Sequence, residues 1–182
     1  MPLSSPRLIV ITGIMASGKS TVAQGIAERL PRSVHLRGDL FRRLIVNGRA
    51  EMCAELTPEA LSQLRFRYRI AATVAEEYLA AGFDVVYQDI LIGAGLSDAI
   101  ARLRHPLLYV VVLCPQIHAV TAREAGRAKT GYRSETEIAA FDRILRRETP
   151  TVGYWIDSTD LTPSETVEDV LANLDRARID RT

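Results

Sequence analysis

ITGIMASGKST, residues 11–21, sets two glycines, a lysine and two hydroxyl residues directly behind an apolar run. That run, RLIVIT at 7–12, is short and rich in β-branched residues, as in a parallel strand covered on both faces. From Lys19 the apolar Val22, Ala23, Ile26, Ala27 and Leu30 recur at helical spacing until Pro31 stops the pattern. The order is therefore strand, glycine loop, helix, and the loop reads G-x-x-x-x-G-K-[ST] as Gly13-Ile14-Met15-Ala16-Ser17-Gly18-Lys19-Ser20. Glycines let the chain turn tightly enough for successive N–H groups to surround phosphate oxygens, and the positive end of the following helix faces the same anion. The pattern predicts that Gly13, Ala16, Ser17, Gly18, Lys19, Ser20 and Thr21 bind a nucleoside triphosphate. Lys19 is expected on the β- and γ-phosphates and the Ser20 hydroxyl on Mg²⁺. Gly25 inside the helix costs about 1 kcal/mol relative to alanine, which points to a close crossing of backbone elements there.

Outward from this loop the chain alternates. SVHLRG at 33–38 is a second strand, and Thr57-Pro58-Glu59 offers an N-cap, a proline at the first helical position and an acid in the first turn. The helix that follows is expected to reach about Ala81, with Leu61, Leu64, Tyr68, Ala71, Val74, Ala75 and Tyr78 buried and Gly82 ending it. DVVYQD and PLLYVVVLC are two further buried strands, with a helix at about 96–104 between them. A polar, arginine-rich stretch at 123–133 precedes a helix opened by the capping box Ser134-x-x-Glu137. GYWIDST supplies a last strand, and a second capping box at Thr162-Pro163-Ser164-Glu165 starts a final helix ending near Arg178. Strands alternating with helices predict one three-layer α/β/α domain over 1–182. The sheet they imply has five parallel strands, with ligand at the carboxyl ends of the strands.

Composition agrees with one domain and narrows the partners. The chain has 182 residues, 47% of them hydrophobic, enough for a sizeable core. Lys and Arg number 23 against 22 Asp and Glu, a net charge of +1, so no global field draws nucleic acid or an anionic membrane. Cys53 and Cys114 form no CxxC pattern, and the apolar run at 8–12 is too short for a membrane span. A cytoplasmic protein is the expectation.

A second informative stretch is RGDLFRR, in which Gly38-Asp39 follows the second strand and belongs at the phosphate edge of the sheet. A carboxylate there can accept the proton of an attacking hydroxyl or hold the waters around Mg²⁺, and Arg42 can hold a substrate anion. The same Asp39 can also serve as the helix N-cap. With the glycine loop and the arginine-rich segment after the fourth strand, the chain resembles the small P-loop kinases over nearly its whole length, which implies their P-loop fold with strand order 2-3-1-4-5. These include nucleoside monophosphate, adenylylsulfate, shikimate and gluconate kinases and chloramphenicol phosphotransferase. Gly38-Asp39-Leu40-Phe41-Arg42 is similar to the G-D-x-x-R of adenylate kinases, where the arginine contacts the acceptor phosphate. In the chloramphenicol phosphotransferase branch the acid at this place implies a general base. REAGRAK at 123–129 resembles the lid run R-E-x-x-R, implying that Arg123 and Arg127 neutralise the transferring phosphoryl from a lid at about 118–136. QDILIGAG replaces both the D-G-[FY]-P-R of adenylate kinases and the glycine triplet of shikimate kinase. Asp89 fits the Mg²⁺-associated acid of these enzymes, although a buried aspartate bonded to loop amides has the same pattern.

The resulting expectation is an ATP- and Mg²⁺-dependent phosphotransferase acting on a small-molecule hydroxyl bound by about 40–80. Asp39, Lys19, Arg123 and Arg127 would be catalytic; Asp39, Arg42 and Asp89 would bind substrate; Ser20 and Asp89 would bind metal. Two alternatives stay open: a nucleotide or polynucleotide 5′-hydroxyl kinase, and an ATP-binding regulatory module without an acceptor. Arg65 and Arg69 share a helical face and serve either as an anion grip or as a solvated surface. His35, His105 and His118 show no ligand spacing.

Overall fold

The computed structural model of the protein describes residues 5–53, 55–126, 132 and 134–180. Five strands, β1 (Leu8–Thr12), β2 (Ser33–Arg37), β3 (Asp84–Gln88), β4 (Leu108–Leu113) and β5 (Tyr154–Ile156), form one parallel sheet in the order β2-β3-β1-β4-β5. β1 lies in the middle, with Val10 opposite Tyr87 on one side and Val110 on the other. All five of its residues are buried, which is why its sequence is a continuous apolar run and not an alternation.

The period of two along β1 sends Leu8 and Val10 to one face and Ile9 and Ile11 to the other. The first face packs on α3 (Pro58–Ala80), α4 (Ala94–Arg102) and α6 (Glu135–Arg143) through Tyr68, Ala71, Ala75, Leu96, Ala99 and Ile138. The second packs on α1 (Lys19–Arg29) and α7 (Pro163–Ala172) through Val22, Ala23, Ile26, Val167 and Val170. These are the two outer layers that the sequence predicts. Two short helices lie above the carboxyl edge: α2 (Asp39–Arg43) after β2, and α5 (Ile117–Ala125) after β4.

Several expectations shift in detail. On α3 the buried residues are Ala60, Arg67, Tyr68, Ala71, Ala72, Ala75 and Leu79, whereas Leu61 and Tyr78 are 37% and 40% exposed. Each step along a helix turns about 100°, so Leu61 and Tyr78, one residue from Ala60 and Leu79, swing off the stripe. α5 occupies the start of the stretch read as a polar lid. A π-helical turn at Ile144–Glu148 extends α6, and a 3₁₀ turn at Leu174–Ala177 follows α7, which ends six residues before Arg178. The caps stand as read: Thr57 and Ser134 accept from Ala60 and Glu137 amides, and Thr162 with Glu165 completes a capping box.

Gly25 marks the crossing of α1 over α7. A Cβ there would lie 3.0 Å from Cγ2 of Val167. Gly25→Leu forces the two helices apart and is expected to cost about 1–3 kcal/mol, read as a lowered urea midpoint with unchanged slope.

Candidate active site

The glycine loop between β1 and α1 is wound by three positive φ angles: Gly13 at 144°, Ala16 at 60° and Gly18 at 97°. Gly13 has no room for a side chain, since a Cβ would lie 2.5 Å from the Leu113 carbonyl and 2.8 Å from Ser17 Oγ. Ala16 is the single non-glycine residue with positive φ among the described residues, a conformation that costs an L-residue roughly 1–2 kcal/mol. Strain of this kind marks an anion-binding turn. Gly18 caps α1 without a side-chain hydrogen bond, so the first amides of that helix are left for a ligand. Lys19 is buried and donates from Nζ to the Ile14 carbonyl at 2.6 Å, closing the loop on itself. Ser17 Oγ is buried with no hydrogen-bond partner, while Ser20 and Thr21 stand exposed at the start of the helix.

These residues open on a cavity of about 650 Å³ whose lining runs from Met15 to Val22 and includes Asp39, Asp89 and Arg123. The structure thus brings most of the sequence-derived site together, with Gly13 behind the lining. Arg37, Arg43, Arg67 and Gln88 join it; Arg43 and Arg67 fall in the stretch at about 40–80 expected to bind the acceptor, whereas Arg37 and Gln88 had no expected role.

Asp39 is the first residue of α2, and the cap position belongs to Gly38, so its carboxylate is not used as a helix cap. Its Oδ2 accepts from Arg43 Nη2 at 2.5 Å. Its Oδ1 is shielded from solvent and accepts no hydrogen bond, and it forms an ion pair with Arg37 Nε at 3.7 Å. Asp89, one residue past β3, is buried and committed. Oδ1 accepts from Arg67 Nη2 and the Ile90 amide, both at 2.8 Å, and Oδ2 accepts from the Tyr87 hydroxyl at 3.1 Å. Burial opposes the charge on Arg67, yet Asp89 together with Tyr68, Tyr87 and Asp39 more than offsets it and raises the guanidinium above its usual pKa. Burial, reinforced by Asp89, pushes the Tyr68 and Tyr87 phenols up, so both remain proton donors.

Arg42 points elsewhere. Its Nη2 donates to the Ala50 carbonyl at 2.8 Å, bracing the loop before α3, and it is absent from the cavity lining. Arg43, the next residue, is the one that reaches Asp39. Arg123, in the last turn of α5, donates from Nη2 to the Ser158 and Thr159 carbonyls at 2.7 and 3.2 Å and so ties α5 to the loop after β5. Arg127 lies outside the described residues. Tyr132 donates to the Met15 carbonyl at 3.0 Å, joining the lid segment to the glycine loop. Arg65 pairs with Asp98 at 3.6 Å and Arg69 stacks on Phe66, so neither faces the cavity.

The sequence matches the AAA domain family over residues 8–151. The chain belongs to that family. No curated protein matches it. Solved structures place the AAA domain among small kinases by shape. A sugar kinase from Janibacter sp. superposes with a TM-score of 0.66 at 20% identity, covering 94% of this chain and 96% of that one. A gluconokinase from Sinorhizobium meliloti gives 0.66 at 21%, over 94% and 93%. The Mycobacterium tuberculosis APS kinase in complex with AMPPNP and APS gives 0.68 at 17%, over 94% and 98%. The shared fold is that of small P-loop kinases.

Two outcomes follow from the electrostatics of this AAA domain. Removing Arg67 alone strands a buried carboxylate: Arg67→Met is expected to destabilise by about 3–5 kcal/mol, and adding Asp89→Leu should return part of the loss in denaturant unfolding. His35, on β2, donates from Nδ1 to Gln24 Oε1 at 2.8 Å. Burial, then Arg37, lower its pKa, with Asp39 opposing. The unfolded chain therefore takes up a proton near pH 6.5 that the folded protein refuses, so stability falls as pH is lowered through that value. His35→Gln is expected to flatten this part of the midpoint-against-pH curve.

Proposed function

We propose that the protein is a phosphotransferase that moves the γ-phosphoryl of ATP to a hydroxyl of a small molecule. The carrying observation is Asp39: a carboxylate oxygen without a donor, in one cavity with a glycine loop wound for phosphate. A mere nucleotide switch has no need of that second acid. A buried acceptor with no partner is costly, and an acceptor hydroxyl satisfies it.

In this reading the amides of the loop and of the first turn of α1 hold the triphosphate, and Lys19 leaves the Ile14 carbonyl for the β- and γ-phosphates. Asp39 Oδ1 takes the hydroxyl proton as the acceptor oxygen bonds to the γ-phosphorus. The bond from that phosphorus to the bridging oxygen breaks, and ADP leaves. Arg123 closes the site from the side of α5, and we assign Arg127 to the same lid role on the sequence resemblance. Magnesium fits the Ser20 hydroxyl together with phosphate oxygens, and its chemistry there is to neutralise charge on the transferring group. Asp89 is spent on Arg67 and Tyr87, so we give it the support of the site instead of metal binding. The cavity size favours a metabolite or antibiotic over a strand of nucleic acid, and the balanced net charge agrees. Among the described residues no helix is long and apolar enough to cross a membrane; the use of ATP and the free thiols suit a cytoplasmic enzyme.

Asp39→Asn is expected to keep ADP affinity within a few-fold while lowering transfer by roughly 10²-fold or more. Lys19→Ala should weaken ATP itself. The acceptor is sought by incubating the protein with hydroxylated metabolites and antibiotics, reading ADP release and the product mass. An Asp39→Asn enzyme that turns over like the parent removes the base assignment. A panel in which no compound gains a phosphoryl group removes the transferase reading.

A further inference from the structure

Gln88, the last residue of β3, carries a buried amide with no partner among the described residues. It is 4% exposed, its side chain makes no hydrogen bond to any of them, and it lines the cavity of the glycine loop. Ser17 Oγ in the same lining is sealed off, whereas the Gln88 amide keeps surface open to the cavity. Burying an amide without a partner is costly, so the open amide marks a place for a ligand. The polar side chains around it are engaged with one another: Arg37 and Arg43 pair with Asp39, and Arg67 pairs with Asp89.

The strand order fixes which part of a ligand reaches it. β3 lies between β1, whose end starts the glycine loop, and β2, whose end is followed by Asp39. Gln88 stands opposite Ile11 of β1 on one side and Arg37 of β2 on the other. With a period of two along β3 it shares a face with Val86, which packs on α1, so the amide is turned towards the first turn of that helix. On the other side of the loop the lining runs to Ser158, Leu161 and Pro163, beyond β5. That more apolar end suits a nucleobase, and the end with Asp39 suits the acceptor. A triphosphate on the loop then directs its last phosphorus over β3.

We infer that Gln88 donates from its amide to an oxygen of the γ-phosphoryl and so distinguishes a nucleoside triphosphate from a diphosphate. The inference rests on the phosphotransferase reading and adds the residue that senses the group to be moved. A primary amide brings two N–H donors and a phosphate oxygen only accepts, so the two are complementary. A hydrogen bond to a charged oxygen is stronger than one between neutral groups. A carboxylate in this place would repel the phosphate and set a second negative charge near Asp39. ADP ends one phosphate short of β3 and leaves the amide as it is in the free protein, so the product lacks a bond that the substrate has.

The test compares two ligands on the full chain with magnesium: ADP, and the non-hydrolysable ATP analogue AMPPNP. Gln88→Met keeps the length of the side chain without its amide. It is expected to weaken AMPPNP roughly tenfold while ADP affinity stays within about twofold. Gln88→Glu should weaken AMPPNP further than Gln88→Met does, again with ADP largely spared. Parent-like AMPPNP affinity in Gln88→Met overturns the inference, and so does an equal loss of both ligands, which is what a distorted loop gives. If the two ligands separate but no compound gains a phosphoryl group, the γ-phosphoryl contact stands and the transferase reading falls. If a phosphorylated product is found while Gln88→Met binds both ligands as the parent does, the inference alone falls.

Discussion

The ion pair between Arg67 and Asp89 is what the edge of the sheet is built on. Arg67 comes from the middle of α3 and Asp89 from the end of β3, and both are almost withdrawn from water. Burying two charges is expensive unless their hydrogen bonds are complete. Here the Tyr87 hydroxyl and the Ile90 amide complete the carboxylate. The result is a wall against which Gly38 is pressed so closely that no side chain fits. Gly38 starts α2, so the pair sets where Asp39 begins. Well-packed apolar residues of similar volume often stabilise a fold as well as a buried ion pair does, but they would not fix a backbone position by charge and contact together.

This arrangement divides labour between two acids that look alike in sequence. Asp89 has its lone pairs used by the protein, whereas Asp39 keeps one oxygen without a partner and faces the glycine loop. On the other side of the cavity, Arg123 binds the carbonyls after β5 and Tyr132 the loop at Met15. Both bonds run from the segment after β4 to residues of the cavity lining, Ser158 and Met15. The segment after β4 and the glycine loop are therefore tied into the site through backbone carbonyls.

The glycine loop was legible because its chemistry lives in the backbone: only glycine tolerates Gly13's contacts, and the motif spacing follows from winding around an anion. The parallel sheet followed from alternating strands and helices, and its strand order from the resemblance to the P-loop kinases. Asp39 was legible by position, one residue beyond a strand end. Other residues were hidden for physical reasons. A five-residue helix has no periodicity from which to read phase, so Arg42 was expected where Arg43 stands. Arg37 stands at the end of β2 outside any motif, and its ion-pair partner Asp39 lies two residues on, across a glycine. Arg67 carried a signal that went unused, namely a charge between Leu64 and Tyr68 on an otherwise apolar stripe, which demands a buried counter-charge. α5 was hidden because it is short and its last turn runs into the arginine-rich stretch that starts at Arg123.

The central claim is that one cavity holds a triphosphate on the glycine loop within reach of Asp39. A crystal structure with magnesium and a non-hydrolysable ATP analogue tests it most directly. The account predicts β- and γ-phosphates on the amides from Gly13 to Ser20, with Lys19 released from Ile14 and the Asp39 carboxylate facing the γ-phosphorus from the acceptor side. Phosphates bound away from that loop, or an Asp39 turned out of the cavity with the analogue in place, would contradict it.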